Sequence, residues 1–358
     1  MKKKLTFLGI ETSCDETAAS VVQENEEGTA KVLSNIVSSQ IKQHEKFGGV
    51  VPEIAARAHV ENIDFIIQQA LDKSKKKIED IDGIATTAGP GLIVCLNIGY
   101  NIGKSIATFG KKYFLPINHL EGHALSPGIE NKISFPYLLL LVSGGHSQYL
   151  IVKNLNNYKQ IGTTIDDAVG EAFDKTAKIL NLGYPGGPSV ERFAKLGNKN
   201  SYNLPQPIIN RAGCNLSLAG LKTDVLRKSK NIKSDQDRYD LAASFQETVN
   251  KILQKKTEVA MNKFREEISD NSTKAFVIAG GVAANETIRK SLKQISEKMN
   301  FKPIFPSKEF CGDNAAMIAW AGIQRYKKKL FDNKNNLPLS RWPLDSKAPF
   351  LKGSGLKL

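Results

Sequence analysis

A strand–turn–strand pattern occurs twice in the chain and constrains the fold more than any other feature. Residues 5–22 read LTFLGIETSCDETAASVV, in which two apolar runs flank a polar turn with three acids. Residues 135–152 read FPYLLLLVSGGHSQYLIV, with a neutral, glycine-rich turn. Each copy is followed later by a strand, a glycine turn and a helix, at 81–110 and at 275–292. Because internal repeats fix an architecture before any single residue does, we predict a duplicated nucleotide-binding α/β fold.

The repeat divides the 358-residue chain into two halves of domain size. We predict a first half over 1–131 and a second half over 132–319. The second half carries a polar, irregular insertion at about 197–238. The C-terminal segment 320–358 is expected to pack back on the first half. Helices are predicted from Pro52 and over 165–183, the latter with a C-cap at Gly183.

Composition limits the classes of function. No apolar run approaches the ~20 residues of a membrane span, and the apolar part of MKKKLTFLGI is short for a signal peptide, so we expect a cytoplasmic protein with no membrane partner. The four cysteines form no CxxC pair, which argues against a disulfide framework and a thiolate zinc site. The net charge of +14 favours a polyanion such as nucleic acid, although a bias toward Lys and Asn codons explains it equally well.

Glycine-rich turns suggest a phosphate-bearing ligand. Ser143, Gly144 and Gly145 lie between two apolar strands, where glycines let backbone N–H groups approach an anion closely. Similar turns occur in TTAGPGL, PGGP and AGG, although each alone is an ordinary turn. None matches the Walker or dinucleotide pattern, so a P-loop or Rossmann mechanism has no local support.

His119 and His123 form the clearest candidate metal pair. Four residues apart on a helix, both imidazoles share one face. The acid between them, Glu121, is not in the zinc-protease position beside the first histidine, and on a helix it points away from the shared face. Asp313 is a candidate third ligand, but as a residue before a helix it is equally a candidate N-cap.

Two sets of acids complete the candidates. Asp15 and Glu16 lie with Glu11 in the first turn, where acids act on a ligand through a cation, a water or sugar hydroxyls, or simply face solvent. We take Asp15 and Glu16 as candidates for general base or water-orienting acid. A further row, which faces either a ribose or water, recurs at helical spacing: Asp166, Asp167, Glu171 and Asp174.

At these motifs the chain resembles the TsaD family, once described as O-sialoglycoprotein endopeptidases and related to a subunit of the KEOPS complex. The resemblance runs from about residue 5 to 345, through GIETSCDET, GGVVPEIAARAH, TAGPGL, NHLEGH, LVSGGHSQ, DDAVGEAFDK, YPGGP, AGGVAAN and CGDNAAM. It implies a duplicated fold of the actin–hexokinase–Hsp70 type with the active site in the interdomain cleft. The segment usually read FSGLKT is LSLAGLKT here, at 216–223, which leaves its packing open.

The resemblance also implies a reaction: transfer of threonylcarbamoyl from threonylcarbamoyl-AMP to the exocyclic amine of adenosine 37 in tRNAs that read ANN codons. It implies one divalent metal, iron ahead of zinc, and as partners tRNA, a TsaB-like paralogue and a TsaE-like ATPase. Metal ligands would be His119, His123 and Asp313. The implied substrate and nucleotide contacts are Leu141, Val142, Ser143, Gly144, Gly145, Asp174, Gly187 and Asn285. The alternatives are a metallopeptidase, a small-molecule kinase on the same fold, and a non-catalytic scaffold.

Overall fold

The structure, a computed structural model, describes residues 4–268, 274–331 and 337–349. Within them, the strands are β1 (Thr6–Glu11), β2 (Glu16–Glu24), β3 (Ala30–Ser39), β4 (Gly83–Gly89), β5 (Tyr113–Asn118), β6 (Tyr137–Val142), β7 (Ser147–Asn154), β8 (Asn157–Thr163), β9 (Ala275–Ala279) and β10 (Lys302–Ile304). The α-helices are α1 (Ile41–His44), α2 (Pro52–Ser74), α3 (Ile93–Phe109), α4 (His119–Leu125), α5 (Val169–Ile179), α6 (Gly186–Ala194), α7 (Ala219–Ser229), α8 (Asp235–Glu267), α9 (Glu286–Lys298) and α10 (Ala315–Lys327). No helix of these residues is long and apolar enough to span a membrane.

The two halves of the chain form sheets of the same topology. The first sheet has the order β3-β2-β1-β4-β5, and the second has the order β8-β7-β6-β9-β10. In each, the central strand pairs antiparallel with the strand that follows it and parallel with the strand from the later strand–glycine turn–helix unit. The repeat predicted from the two strand–turn–strand patterns is therefore confirmed.

The chain divides into two compact units, Met1–Ile133 with Pro306–Leu344, and Ser134–Phe305 with Asp345–Leu358. The sequence placed the first boundary at 131/132, within two residues of this one. It placed 306–319 in the second half, whereas the observed division groups these residues with the first unit. The reason is that α10 packs against β1 and β4 of the first sheet.

The C-terminal segment is divided between the two units. Residues through Leu344 group with the first unit, as in Leu339, whose N–H donates to the Ala88 carbonyl at 2.8 Å. Asp345 groups with the second unit and accepts a 2.9 Å hydrogen bond from the Gln160 N–H. The rest of the predicted returning segment, 350–358, lies outside the described residues.

The core of the first unit explains why its central strands read as continuous apolar runs. Every residue of β1 and β4 is buried, since helices cover the sheet. The apolar stripe of α2, predicted to begin at Pro52, faces this sheet. One buried cluster contains Leu8, Ile10, Ala19, Val21, Ile63, Ile66, Ile67, Ala70, Leu71, Ile81, Ile84 and Ala107.

Two carboxylates account for the start of α7, in the predicted insertion. Asp166 accepts hydrogen bonds from the N–H groups of Leu218 at 2.7 Å and Ala219 at 3.3 Å, as an N-cap supplied from elsewhere in the chain. Buried Asp167 contacts Lys175 Nζ at 2.9 Å and Lys222 Nζ at 2.8 Å. The LSLAGLKT variant thus packs as a capped helix, and both carboxylates have partners within the protein.

The second unit differs from expectation at the end of α5. The helix ends at Ile179 with Leu180 as its C-cap, so Gly183 is not the cap. Gly183 instead occupies the left-handed region, with φ of 96°, in the turn before α6.

The substitution Gly9→Ala tests the packing of α10 on β1. An added Cβ at Gly9 would lie 2.2 Å from the Ala315 carbonyl oxygen and 2.8 Å from the Ala319 nitrogen. Backbone atoms cannot rotate away, so we expect Gly9→Ala to lower the free energy of unfolding by about 1–3 kcal/mol or more in urea denaturation. The control is Gly49→Ala, whose Cβ would meet nothing within 4 Å. Equal stability of the two variants would contradict this packing.

Candidate active site

The candidate metal ligands lie at the carboxyl end of β5. Asn118 ends this strand and caps α4, its side-chain oxygen accepting from the Leu120 N–H at 2.9 Å and from the Glu121 N–H at 3.4 Å. The helix therefore begins at His119. One turn later His123 lies beside it, with ring centroids 4.7 Å apart and planes at 87°.

Asp313 completes a converging set of three ligand atoms. Its Oδ1 lies 3.0 Å from His123 Nε2 and 3.5 Å from His119 Nε2. The three atoms lie within 4.8 Å of one another. The helix that follows is capped by Asn314, whose side chain accepts from the Met317 N–H at 3.0 Å. Of the two roles that the sequence allowed for Asp313, the cap is therefore excluded.

Glu11, at the end of β1, holds the other nitrogen of His119. Its Oε2 lies 3.1 Å from His119 Nδ1, and because an ionised carboxylate only accepts, Nδ1 carries the proton. The Ser13 N–H donates to Glu11 Oε1 at 2.5 Å, and the Thr87 hydroxyl donates to Oε2. This carboxylate–imidazole pair orients the Nε2 of His119 toward Asp313, the arrangement common behind metal-bound histidines.

The charges of these buried groups depend on one another. Burial alone would raise the pKa of the Glu11 carboxyl, but the adjacent His119 outweighs it and the pKa is lowered. Burial alone would lower the pKa of His119, but Asp313 and Glu11 hold it well above its ordinary value. Burial would likewise raise the pKa of Asp313, yet the histidines keep it well below its usual range. The site thus favours a positive charge between its two carboxylates.

A divalent metal fits this donor set. Two imidazole nitrogens and one carboxylate oxygen suit iron or zinc. One histidine already has its distal nitrogen fixed by a carboxylate, and the buried Glu11 and half-buried Asp313 carboxylates supply the charge that a cation would neutralise. His123 Nδ1 has no hydrogen-bond partner among the described residues, so its ring is held by packing and by Asp313.

The carboxylate of Glu121 pairs with an arginine of another helix. Its Oε2 accepts a 2.8 Å hydrogen bond from Arg325 of α10, and both side chains are buried. The prediction that this acid points away from the face of His119 and His123 is consistent with that pairing. The ion pair joins the helix that carries the histidines to the helix that follows Asp313.

The acidic turn lies beside this cluster. Asp15 is buried, at 8% exposure. Burial, the charges of Asp313 and Asp15, and a hydrogen bond to Asp15 raise the pKa of Glu16 well above its ordinary value. Burial and the same acids raise the pKa of the Cys14 thiol, which is therefore no nucleophile.

In the second unit, the glycine turn follows the carboxyl end of β6. Gly144 and Gly145 are exposed, and an added Cβ at either would meet nothing within 4 Å. The turn is tied to the start of α5, because the Ser143 carbonyl accepts from the Gly170 N–H at 3.2 Å and the Gly144 carbonyl from the Glu171 N–H at 3.1 Å. Its open side can therefore receive a ligand without strain.

The other predicted nucleotide contacts adjoin this turn or lie along α5 and α6. The Asp174 carboxylate accepts from the Gly186 N–H at 2.8 Å, and an added Cβ at Gly187 would meet nothing within 4 Å. The neighbouring β9 ends at Ala279, and an added Cβ at the next residue, Gly280, would lie 2.3 Å from the Val142 carbonyl oxygen. The Asn285 side chain is a cap, accepting from the Ile288 N–H at 3.0 Å and donating to Gln246 at 2.9 Å.

Comparison with known proteins identifies the family. The model of the TsaD family, tRNA N6-adenosine threonylcarbamoyltransferase, matches residues 31–320. A protein of that name from Pelagibacter ubique is 56% identical over the full length of both chains. Another from Brucella anthropi is 49% identical over 98% of each.

The chain belongs to the TsaD family. The predicted assignment to the tRNA N6-adenosine threonylcarbamoyltransferases, which are transferases that act on tRNA, is thereby confirmed. These relatives do not support the metallopeptidase or kinase alternatives.

Solved structures of distant proteins show the fold. HypF of T. kodakarensis aligns with a TM-score of 0.61 at 14% identity, over 94% of this chain and 50% of its own. Component A of the Acidaminococcus fermentans (R)-2-hydroxyglutaryl-CoA dehydratase aligns with a TM-score of 0.51 at 15% identity, over 91% and 99%. The predicted actin-like ATPase fold is confirmed.

The site residues implied by the resemblance to the TsaD family lie in different local environments in this structure. Leu141 and Val142 are fully buried within β6, so only their backbone is available to a ligand. Asn285 has its side chain committed to capping α9. Their roles in binding substrate stay predictions.

Sequence reasoning missed the contact of Glu11 with His119 and its support by Thr87. Glu11 was visible only as one of three acids in a turn. The position of Glu11 at the end of an apolar strand was a signal, because adjacent parallel strands bring their carboxyl ends to one edge of a sheet.

Glu11→Gln tests the support of His119. The Gln amide lacks the negative charge that orients the Nδ1–H of His119. In one of its two orientations, the amide would also present its own N–H to that ring. We expect metal affinity to fall about 10–100-fold, measured by competition with a chelating dye. The control is Glu53→Gln, which neutralises an exposed carboxylate of the same unit. Unchanged affinity in Glu11→Gln would show that the contact does not support the metal.

Proposed function

We propose that this chain transfers the threonylcarbamoyl group from threonylcarbamoyl-AMP to N6 of adenosine 37 in tRNAs that read ANN codons. The observation that carries the proposal is the convergence of His119, His123 and Asp313 in a full-length member of the TsaD family. The exposed glycine turn after β6 gives independent support for a phosphate-bearing donor.

The reaction is an acyl transfer from a mixed anhydride. N6 attacks the carbamoyl carbon, the bond from that carbon to the phosphate oxygen breaks, AMP leaves with the electron pair, and N6 loses a proton. His119, His123 and Asp313 would hold a divalent metal, which would supply Lewis acidity for such a step, and iron suits this donor set. Since an exocyclic amine is a weak nucleophile, positioning contributes much of the acceleration.

The chain's own residues supply binding and proton transfer. Ser143 and the N–H groups of Gly144 and Gly145 would hold phosphate oxygens and stabilise negative charge on the leaving group. Asp174 and Gly187 would lie toward the ribose, and the backbone near Asn285 toward the phosphate.

The acidic turn would receive the proton. Asp15 would accept it directly or through a water. Glu16, whose pKa is raised well above its ordinary value, would hydrogen-bond to Asp15 and keep that carboxylate oriented.

Partners follow from the family. We propose that a TsaB-like paralogue and a TsaE-like ATPase act with this chain, and that it works in the cytoplasm, where its tRNA substrate would be found. Supplying and omitting each partner in the transfer assay tests this part separately. Full turnover by the chain alone would remove the need for them.

His119→Ala tests the metal-dependent transfer. Loss of one of three ligands is expected to abolish stoichiometric metal, measured by elemental analysis, and threonylcarbamoyl transfer to an anticodon stem-loop, measured by nucleoside mass spectrometry. The matched control is His146→Ala, a histidine of the glycine turn, which should keep its metal. A metal-free His119→Ala protein with full activity would overturn the proposal.

Gly144→Ala tests the phosphate site independently. The fold has room for the methyl group, so the melting temperature and metal content should stay unchanged. The methyl group would occupy the space that a phosphate oxygen needs to reach the backbone N–H groups. We therefore expect KM for threonylcarbamoyl-AMP to rise about tenfold or more, the equivalent of ~1.4 kcal/mol of binding. Gly49→Ala is the control, and an unchanged KM would place the phosphate elsewhere.

A further inference from the structure

His59 is a fully buried histidine that the metal site does not use. It lies on α2, in the GGVVPEIAARAH motif, and is 0% exposed. Its Nε2 lies 3.0 Å from the carbonyl oxygen of Cys14, in the middle of the acidic turn. Its Nδ1 lies 2.8 Å from the Thr17 hydroxyl. A carbonyl only accepts, so Nε2 carries the proton and the Thr17 hydroxyl donates to Nδ1.

The same direction of hydrogen bonding continues away from the turn. Gln40 Nε2 donates toward His59 Nδ1 at 3.4 Å, and Gln40 Oε1 accepts from His44 Nε2 at 3.2 Å. His44 Nδ1 accepts from the Val51 N–H at 3.3 Å. Each histidine is therefore neutral with its proton on Nε2, and burial, which lowers the pKa of His59, is consistent with that state.

Three successive carbonyls of the turn are each held by a different element. The Ser13 carbonyl accepts from the Leu92 N–H at 2.9 Å, and the Asp15 carbonyl from the Gln40 N–H at 3.0 Å. Between them, the Cys14 carbonyl accepts from His59, so this anchor alone comes from a side chain. A substitution can remove it without changing the backbone.

The anchored turn leads directly to the metal site. The Ser13 hydroxyl lies 3.2 Å from His119 Nδ1, and the Ser13 N–H donates to Glu11. Asp15, the candidate base, is adjacent to the anchored carbonyl. We propose that His59 is a positioning residue which, through the Cys14 carbonyl, fixes the acidic turn in the geometry that transfer requires. This inference rests on the proposed transfer reaction.

The experiment compares His59→Leu with His59→Gln in the full chain together with its partners. Leu fills the space but removes the donor, whereas the Gln amide can donate to the Cys14 carbonyl. We expect His59→Leu to lower kcat about 10–100-fold, with KM for threonylcarbamoyl-AMP and metal content little changed, and His59→Gln to recover most of the loss. Hydrogen exchange of a peptide covering residues 12–16 should accelerate in His59→Leu and not in His59→Gln.

Controls separate positioning from stability and from the function itself. Ile63→Ala truncates a residue of the same helix in a buried core cluster that contains no residue of the turn, so it should lower the melting temperature yet retain kcat. The inference would be overturned if His59→Leu kept the kcat of the wild type. It would also be overturned if kcat fell as much in Ile63→Ala as in His59→Leu. An inactive wild type would instead refute the proposed function, while the hydrogen-exchange result would still report whether His59 holds the turn.

Discussion

The first unit depends on a buried histidine held between two carboxylates. His119 contacts Glu11 through one ring nitrogen and Asp313 through the other. Removing one partner from a buried charged set leaves an uncompensated charge and costs about 3–5 kcal/mol, so the three groups stabilise one another only when all are in place. They come from β1, from the start of α4 and from the segment before α10. The site therefore forms only when the strands of the sheet are in register and α10 is packed in its place.

Duplication supplies the same scaffold twice, and the two turns have diverged in chemistry. The turn after β1 is buried and acidic, and its carbonyls are anchored by three separate elements. The turn after β6 is exposed, neutral and rich in glycine, and its carbonyls are tied to the start of α5. Rigid acids suit a metal and a proton, while open backbone N–H groups suit a phosphate. Under the proposed function, the divergence would assign different tasks to equivalent positions of one topology.

The sequence predicted what depends on local periodicity and left open what depends on distant contacts. The repeat and the shared face of His119 and His123 are local, and the structure has both. The role of Asp313 could not be decided, because the next residue, Asn314, is an equally good cap and only the fold shows which of them is used. The pairing of Glu11 with His119 joins residues more than a hundred positions apart, and the position of Glu11 at the end of an apolar strand does not identify its partner. The same holds for 306–319, whose grouping with the first unit follows from the packing of α10.

The charge of the chain and the charge of the site have opposite signs, which constrains how a nucleic acid can be bound. The chain carries a net +14, yet four acids lie in or beside the candidate metal site: Glu11, Asp15, Glu16 and Asp313. A phosphate backbone laid against such acids would be repelled, particularly where burial strengthens the interaction. For the proposed transfer, the tRNA backbone would therefore have to be held by basic residues elsewhere, with only the uncharged base reaching the acids. A bound cation would reduce the remaining repulsion.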